Sequence, residues 1–264
     1  MHKRMGDEVH QEKDIPLAVI HKVVNSLETE YDSRRSDGER ETIVNIAVFV
    51  LASFLEALRG EKTLKIVLGE TRNYFQENQC NLQHKHVVLP LRGRFKGEDG
   101  EGFHFVAVSS KTDSGLRIGP WVQRGLDIKD KRGRMNGFFF ANKQNRQMKL
   151  KYLESCILDR IARVQTNYSE LISSSINVHD EYGLLRSFRR GSNSEALNRG
   201  VSEAVIDRNN RWRKEERAGA RKAKFRMRDH YTDVFVSKSI STIFSGFISS
   251  VKRFSQSRFT YLQG

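Results

Sequence analysis

Near the amino end, apolar residues recur at the spacing that is typical of α-helices. The run IVNIAVFVLASFLEAL, at 43–58, is apolar on every side, which is typical of a helix buried in a protein core. It is too short to span a bilayer. We predict one helix over 16–31, with Pro16 in its first turn, and a buried helix over 41–58.

The pattern then changes to short runs that are rich in β-branched and aromatic residues. Glycine-bearing turns such as GEDGEG and DSG separate these runs, which is typical of an antiparallel sheet. The predicted strands are 63–69, 85–93, 103–110 and 116–123.

Helical spacing returns after residue 148 and continues toward the carboxyl end. The predicted helices are 148–166, 168–177, 182–199, 201–209 and an apolar helix over 236–251. The last stripe is typical of a core helix or of a docking face for a neighbouring protomer.

These elements predict an α+β fold that is mainly α-helical, with a small antiparallel sheet. We expect one domain over 41–251. A tail and a short helix, over 1–40, precede this domain, and a tail over 252–264 follows it.

The charge of the chain indicates a polyanionic partner. Lys and Arg number 46 against 32 Asp and Glu, a formal net charge of +14. Ten of these cations lie in 208–228, where few large apolar residues separate them, so nucleic acid is favoured over an anionic membrane surface. A basic surface that only maintains solubility is the remaining alternative. The predicted DNA-contacting residues are Arg190, Arg208, Arg211, Arg213, Lys214, Arg221, Lys222, Lys224, Arg226 and Arg228.

Cysteine usage and the polar amino end indicate an intracellular protein. Cys80 and Cys156 are too few for a disulfide framework or a zinc site, and MHKRMGDEVHQEKD does not resemble a signal peptide. We therefore expect a cytoplasmic protein with no metal, no small-molecule cofactor and no membrane partner.

Four basic or phenolic positions, far apart in the sequence, are candidates for chemistry. Arg59 ends the buried helix, Lys111 lies in a predicted turn between strands, RSFRR contains Arg186 and Arg189, and Tyr231 follows a basic run. Each one alone is also typical of a solvated or helix-capping residue.

The arginines of RSFRR are less easily explained as surface residues, because neighbouring leucine and phenylalanine side chains draw their helix into the core. At least one guanidinium should therefore be partly buried and need an anion. A phosphate fits, because arginine binds phosphate through two parallel hydrogen bonds.

Together these residue types suit phosphodiester cleavage without a metal. Arginines stabilise the charge that gathers on the attacked phosphate, and a lysine can protonate the leaving oxygen. A tyrosine can attack the phosphorus and conserve the bond energy in a covalent intermediate.

The order of these residues resembles the catalytic domain of the tyrosine recombinase, or phage integrase, family. ALRGEKTLKIVLG resembles the segment of its first arginine, SSKTDSG its lysine turn, RSFR its histidine–x–x–arginine box, and MRDHYTDV its nucleophile box. The resemblance implies a DNA breaking-and-rejoining fold, a 3′-phosphotyrosine intermediate, and double-stranded DNA bound by a homo-tetramer on synapsed sites. The implied catalytic residues are Arg59, Lys111, Arg186, Arg189, Trp212 and Tyr231.

The sequence also departs from this family. Arg186 stands at the usual histidine position, the step from Trp212 to Tyr231 is long, and the N-terminal domain that closes over DNA is expected to be absent. Arg117, in SGLRIGPW, is a competing candidate for the first arginine. The alternative functions are a catalytically impaired DNA-binding relic of the family, an RNA-binding protein and a type IB topoisomerase.

Overall fold

The computed structural model of the chain describes residues 12–79, 86–93, 102–109, 112–142, 144–184 and 186–209. Within them the fold is mainly helical with a small antiparallel sheet, which confirms the coarse fold class. The helices are α1 Leu17–Ser33, α2 Asp37–Leu55, α3 Gly60–Thr63, α4 Leu68–Gln79, α5 Gly119–Lys131, α6 Leu150–Asn167, α7 Val178–Glu181, α8 Ser187–Asn198 and α9 Glu203–Asn209.

Helix α2 forms the centre of the core. The Ser36 side chain accepts the Glu39 amide and donates to the Glu39 carboxylate, so this N-cap satisfies one amide of the first turn. Every residue from Ile43 to Phe54 is buried, and α1, α5, α6 and α8 pack around the helix. Although α2 is strongly apolar, no described helix is long and apolar enough to cross a membrane.

The sheet has two strands, β1 His86–Gly93 and β2 Gly102–Ser109, which pair antiparallel with Leu89 opposite Val106. Residues 65–67 bond to the other edge of β1, through Val67 N–H to the Pro90 carbonyl at 2.8 Å and Arg92 N–H to the Lys65 carbonyl at 3.0 Å. Both central predicted strands are confirmed.

Three sequence predictions of local structure are wrong. Residues 116–123 lead into helix α5, where Gly119 and Pro120 occupy the first turn and Trp121, Val122 and Leu126 are buried. The predicted strand 63–69 is reduced to two bridge residues, because α4 begins at Leu68. The predicted helix 168–177 is a series of turns and bends. The turn assigned to Lys111 therefore does not lie between two strands.

A buried ionic cluster joins α2 to the end of α5. Glu41 is 5% exposed and forms ion pairs with Arg132, Arg134 and the fully buried Lys129, whose Nζ lies 3.4 Å from the carboxylate. Lys129 also donates to the Asn45 side chain at 3.1 Å. Burial, followed by the charges of neighbouring arginines, lowers the pKa of Lys129 to about 7. The complete burial of Lys129 gives this cluster a structural role.

Candidate active site

The segment that carries Arg59 is fixed by an uncommon helix ending. After α2, Ala57 takes a left-handed φ of 50°, and the Ala57 and Leu58 amides bond to the Phe54 and Ser53 carbonyls. This is the Schellman arrangement, which usually has glycine at the left-handed position. It turns the chain sharply, and the exposed Arg59 follows as the residue that precedes α3.

The segment before α8 lies directly against the Arg59 segment. The Gly60 amide donates to the Leu184 carbonyl at 3.1 Å. A Cβ atom on Gly60 would lie 2.9 Å from Leu150 Cδ1 and 3.0 Å from that same carbonyl, so the two segments approach as closely as a glycine allows. Arg59 and Arg186 therefore belong to neighbouring stretches of backbone, 127 residues apart in sequence.

Arg189 connects the same two segments through its side chain. Its Nε donates to the Ala57 carbonyl at 2.6 Å, and the side chain is half-buried on the first turn of α8. The left-handed turn at Ala57 thus orients the carbonyl that holds this guanidinium. We call Arg59, Arg186 and Arg189 the arginine box.

A third segment reaches α8 from the sheet. The turn after β2 is closed by the Gly115 amide, which donates to the Thr112 carbonyl at 2.9 Å, and His21 of α1 contacts the Ser114 carbonyl at 2.8 Å. Ser114 shares a cavity of about 30 Å³ with Leu55 of α2 and Glu195 of α8. This cavity has room for ordered water and is far smaller than a typical small-molecule site.

A tyrosine beside the box is a poor candidate for a nucleophile. Tyr182 is 6% exposed, and burial, together with the charges of Asp14 and Glu181, raises its pKa to about 12. A phenol must lose its proton to attack phosphorus, so this environment disfavours Tyr182 as the attacking group.

The amino-terminal segment 12–16 crosses the start of α8, and we call it the strap. The Glu12 carboxylate accepts the Arg186 amide at 3.0 Å, and the Lys13 amide donates to the Glu181 carbonyl at 2.7 Å. The Ile15 amide donates to the Ser187 carbonyl at 3.3 Å, and the Ile15 side chain is fully buried.

Two predicted DNA contacts lie partly within the described residues. Arg190 is 3% exposed, which agrees with the expectation of a buried guanidinium in RSFRR and does not favour a direct contact with DNA. The backbone of Arg208 lies in α9. The other predicted site residues lie outside the described residues: Lys111, Arg211, Trp212, Arg213, Lys214, Arg221, Lys222, Lys224, Arg226, Arg228 and Tyr231.

Sequence reasoning missed Glu12 and Ala57. The hydrogen bond from Arg186 to Glu12 spans 174 residues, and no local pattern signals a contact of that kind. The end of the apolar run indicates that the helix stops near Ala57. An alanine, however, gives no sign that it takes the left-handed conformation.

A scan against models of protein families found no match, and a search of curated proteins found none with significant similarity.

Proposed function

We propose that the protein is a site-specific DNA recombinase or integrase of the tyrosine type. It cleaves and rejoins double-stranded DNA through a 3′-phosphotyrosine intermediate, and it acts as an assembly of identical chains on paired sites. This chemistry requires no metal and no small-molecule cofactor.

The observation that carries the proposal is the contact between two distant segments at the amino end of α8. The turn with Arg59 and the helix with Arg189 are far apart in sequence and adjacent in space. The turn 112–116, which follows Lys111, reaches the carboxyl half of the same helix, at Ser192 and Glu195. Arg59, Arg186 and Arg189 all lie on these two neighbouring segments, and several arginines suit a phosphate whose charge increases during reaction.

In the proposed reaction the Tyr231 oxygen attacks the scissile phosphorus. The bond from phosphorus to the 5′ oxygen breaks, and Lys111 donates a proton to that oxygen. Arg59, Arg186 and Arg189 hold the non-bridging oxygens, and Trp212 packs beside the phosphate. Arg186 cannot accept the phenolic proton at neutral pH, so that proton passes to water. A 5′ hydroxyl of the partner strand then attacks the phosphotyrosine, which releases Tyr231 and rejoins the DNA.

The decisive test is covalent capture of DNA. The purified protein is incubated with a nicked duplex from its own genomic flanks, and adducts are resolved on a denaturing gel. Tyr231→Phe should abolish the adduct and leave duplex affinity within about twofold, because it removes the nucleophile and no charge.

A matched tyrosine provides the control for this test. Tyr182→Phe changes the same group at a buried position beside the box, and it should retain the adduct. Adducts that persist in Tyr231→Phe, or that disappear in Tyr182→Phe with folding intact, would contradict the assignment of Tyr231.

A DNA-binding relic of the same family is the second candidate. The observation that favours it is Arg186, which stands where a base is expected and cannot remove a proton. This candidate predicts salt-sensitive DNA binding with no adduct on any nicked or suicide substrate.

A further inference from the structure

The strap places a carboxylate against the arginine box. Glu12 Oε2 accepts the Arg186 amide at 3.0 Å, at the beginning of α8. The carboxylate also lies flat against Gly183, where an added Cβ would be 2.7 Å from Glu12 Cδ and 2.8 Å from Oε2. Glu12 is therefore closely fitted to the backbone that leads into the box.

A carboxylate is a natural occupant of this position. The first amides of a helix carry partial positive charge and bind anions, and carboxylates and phosphates compete for the same donors. Glu12 also brings a negative charge to a region whose proposed ligand is a phosphodiester. Two anions at one point repel each other, so the carboxylate and the phosphate exclude one another.

The two ends of the strap are held with different strength. At the inner end, Ile15 is fully buried, and its carbonyl lies so close to Gly191 that an added Cβ there would be only 2.0 Å away. At the outer end, Lys13 forms an ion pair with Glu181 at 2.7 Å, and the lysine side chain is 43% exposed. Exposed ion pairs contribute little, so the outer end can detach while Ile15 remains in the core.

We propose that the strap is an autoinhibitory element, in which Glu12 occupies the phosphate position of the arginine box until DNA displaces it. This inference rests on the proposed function, because it assigns the box to the DNA phosphate. The strap would weaken non-specific binding of DNA to the arginine box. A duplex that is also bound at other positions of the protein would displace the strap.

The first test compares two glutamate variants that change the net charge equally. Glu12→Gln keeps the shape of the side chain and removes its charge, whereas Glu170→Gln does the same at an exposed turn residue. Glu12→Gln should bind duplex DNA roughly three- to tenfold more tightly than Glu170→Gln in fluorescence anisotropy at fixed salt, because a neutral acceptor holds the amide more weakly. Equal affinities of the two variants would overturn the proposal.

The second test follows the strap itself by hydrogen exchange. The Lys13 and Ile15 amides are bonded to Glu181 and Ser187, so exchange in a peptide that covers the strap reports its release. Duplex DNA should accelerate exchange at Lys13 severalfold and leave Ile15 protected. Unchanged or slower exchange at Lys13 in saturating DNA would overturn the proposal.

These outcomes are separable from those for Tyr231. If Glu12→Gln binds DNA more tightly and Tyr231→Phe still forms adducts, the strap proposal is supported and the assignment of Tyr231 as nucleophile is contradicted. If adducts depend on Tyr231 while the two glutamate variants bind DNA equally, the assignment of Tyr231 is supported and the strap proposal is contradicted.

Discussion

At the scale of single residues, the most unusual group in the fold is the side chain of Lys129, a lysine that is completely shielded from solvent. Lys129 is fully buried between Asn45, Glu41 and the ring of Phe139, whose centroid lies 4.3 Å from Nζ. Glu41 compensates this charge only in part, because Arg132 and Arg134 pair with the same carboxylate. Burial, and after it the charges of Arg132 and Arg72, lowers the pKa of Lys129 and favours its neutral form.

The lowered pKa of Lys129 predicts a specific dependence of stability on pH. The folded pKa is about 7 against an ordinary value of 10.5, so between these values the unfolded chain binds more protons than the folded one. The contribution of Lys129 to the free energy of unfolding should therefore rise from about pH 7 to pH 10, by a few kcal/mol, and stay constant below pH 7.

Urea denaturation at a series of pH values measures this contribution. Lys129→Met should remove the rise relative to the unsubstituted protein, because a thioether does not titrate. The exposed neighbour Lys131 is the control, since Lys131→Met should preserve the rise. Parallel stability profiles for Lys129→Met and the unsubstituted protein would contradict the lowered pKa.

At the scale of elements, the site depends on how closely α3 approaches the segment before α8. Gly60 allows this approach, because its Cα faces Leu150, the Leu184 carbonyl and the ring of Phe49. One of these three neighbours is backbone and cannot rotate away, so a larger residue would separate the segments.

Gly60→Ala should lower the free energy of unfolding by about 1–2 kcal/mol. The added methyl is overpacked, and this cost exceeds the gain from a less flexible unfolded chain. Glu61→Ala, at an exposed position of the same short helix, should stay within about 0.5 kcal/mol of the unsubstituted protein. Denaturant unfolding of both variants measures this difference. Equal free energies of unfolding would contradict the prediction, because they would mean that the structure accommodates the added methyl group without loss of stability.

The elements also show which parts of the fold the sequence could predict. Periodic apolar residues identified α1, α2 and α6, because each buries one face or all of its surface. Helix α5 was mistaken for a strand since Ile118, Trp121 and Val122 are residues that strands favour. Its actual signal was Gly119–Pro120 in a first turn, followed by apolar residues at helical spacing.

The candidate site was predictable only in part, for a physical reason. Residue type and order selected Arg59, Arg186 and Arg189 as candidates. The contacts that bring them together each use main-chain groups: the Gly60 amide donates to the Leu184 carbonyl, and the Arg189 side chain donates to the Ala57 carbonyl. Almost every residue carries such main-chain groups, so residue type does not reveal these partners. Glu12 belongs to the same class of contact, because its partner is a main-chain amide.

At the scale of the whole molecule, the net charge of +14 predicts strongly salt-dependent DNA binding. Each phosphate contact releases counterions, so the logarithm of affinity falls with the logarithm of salt concentration in proportion to the number of contacts. We expect the basic run 211–228 to supply many of these contacts.

A paired substitution tests that location. Replacing Lys222 and Lys224 with alanine should reduce the slope by about 2, because two phosphate contacts are lost. Replacing Lys149 and Lys151, which are exposed around the start of α6, removes the same charge and should leave the slope unchanged. Fluorescence anisotropy from 50 to 200 mM salt measures both, and equal slopes for the two variants would place the DNA elsewhere.

The strap also determines when the fold can be completed during synthesis. Ile15 is made early, but its backbone partners Ser187 and Gly191 leave the ribosome about 170 residues later. At roughly 5–20 residues per second, the Ile15 side chain waits on the order of 10 to 35 seconds without its burial site. A nascent chain that stops before residue 187 therefore lacks the backbone partners of Ile15, and such chains should be preferred clients of chaperones.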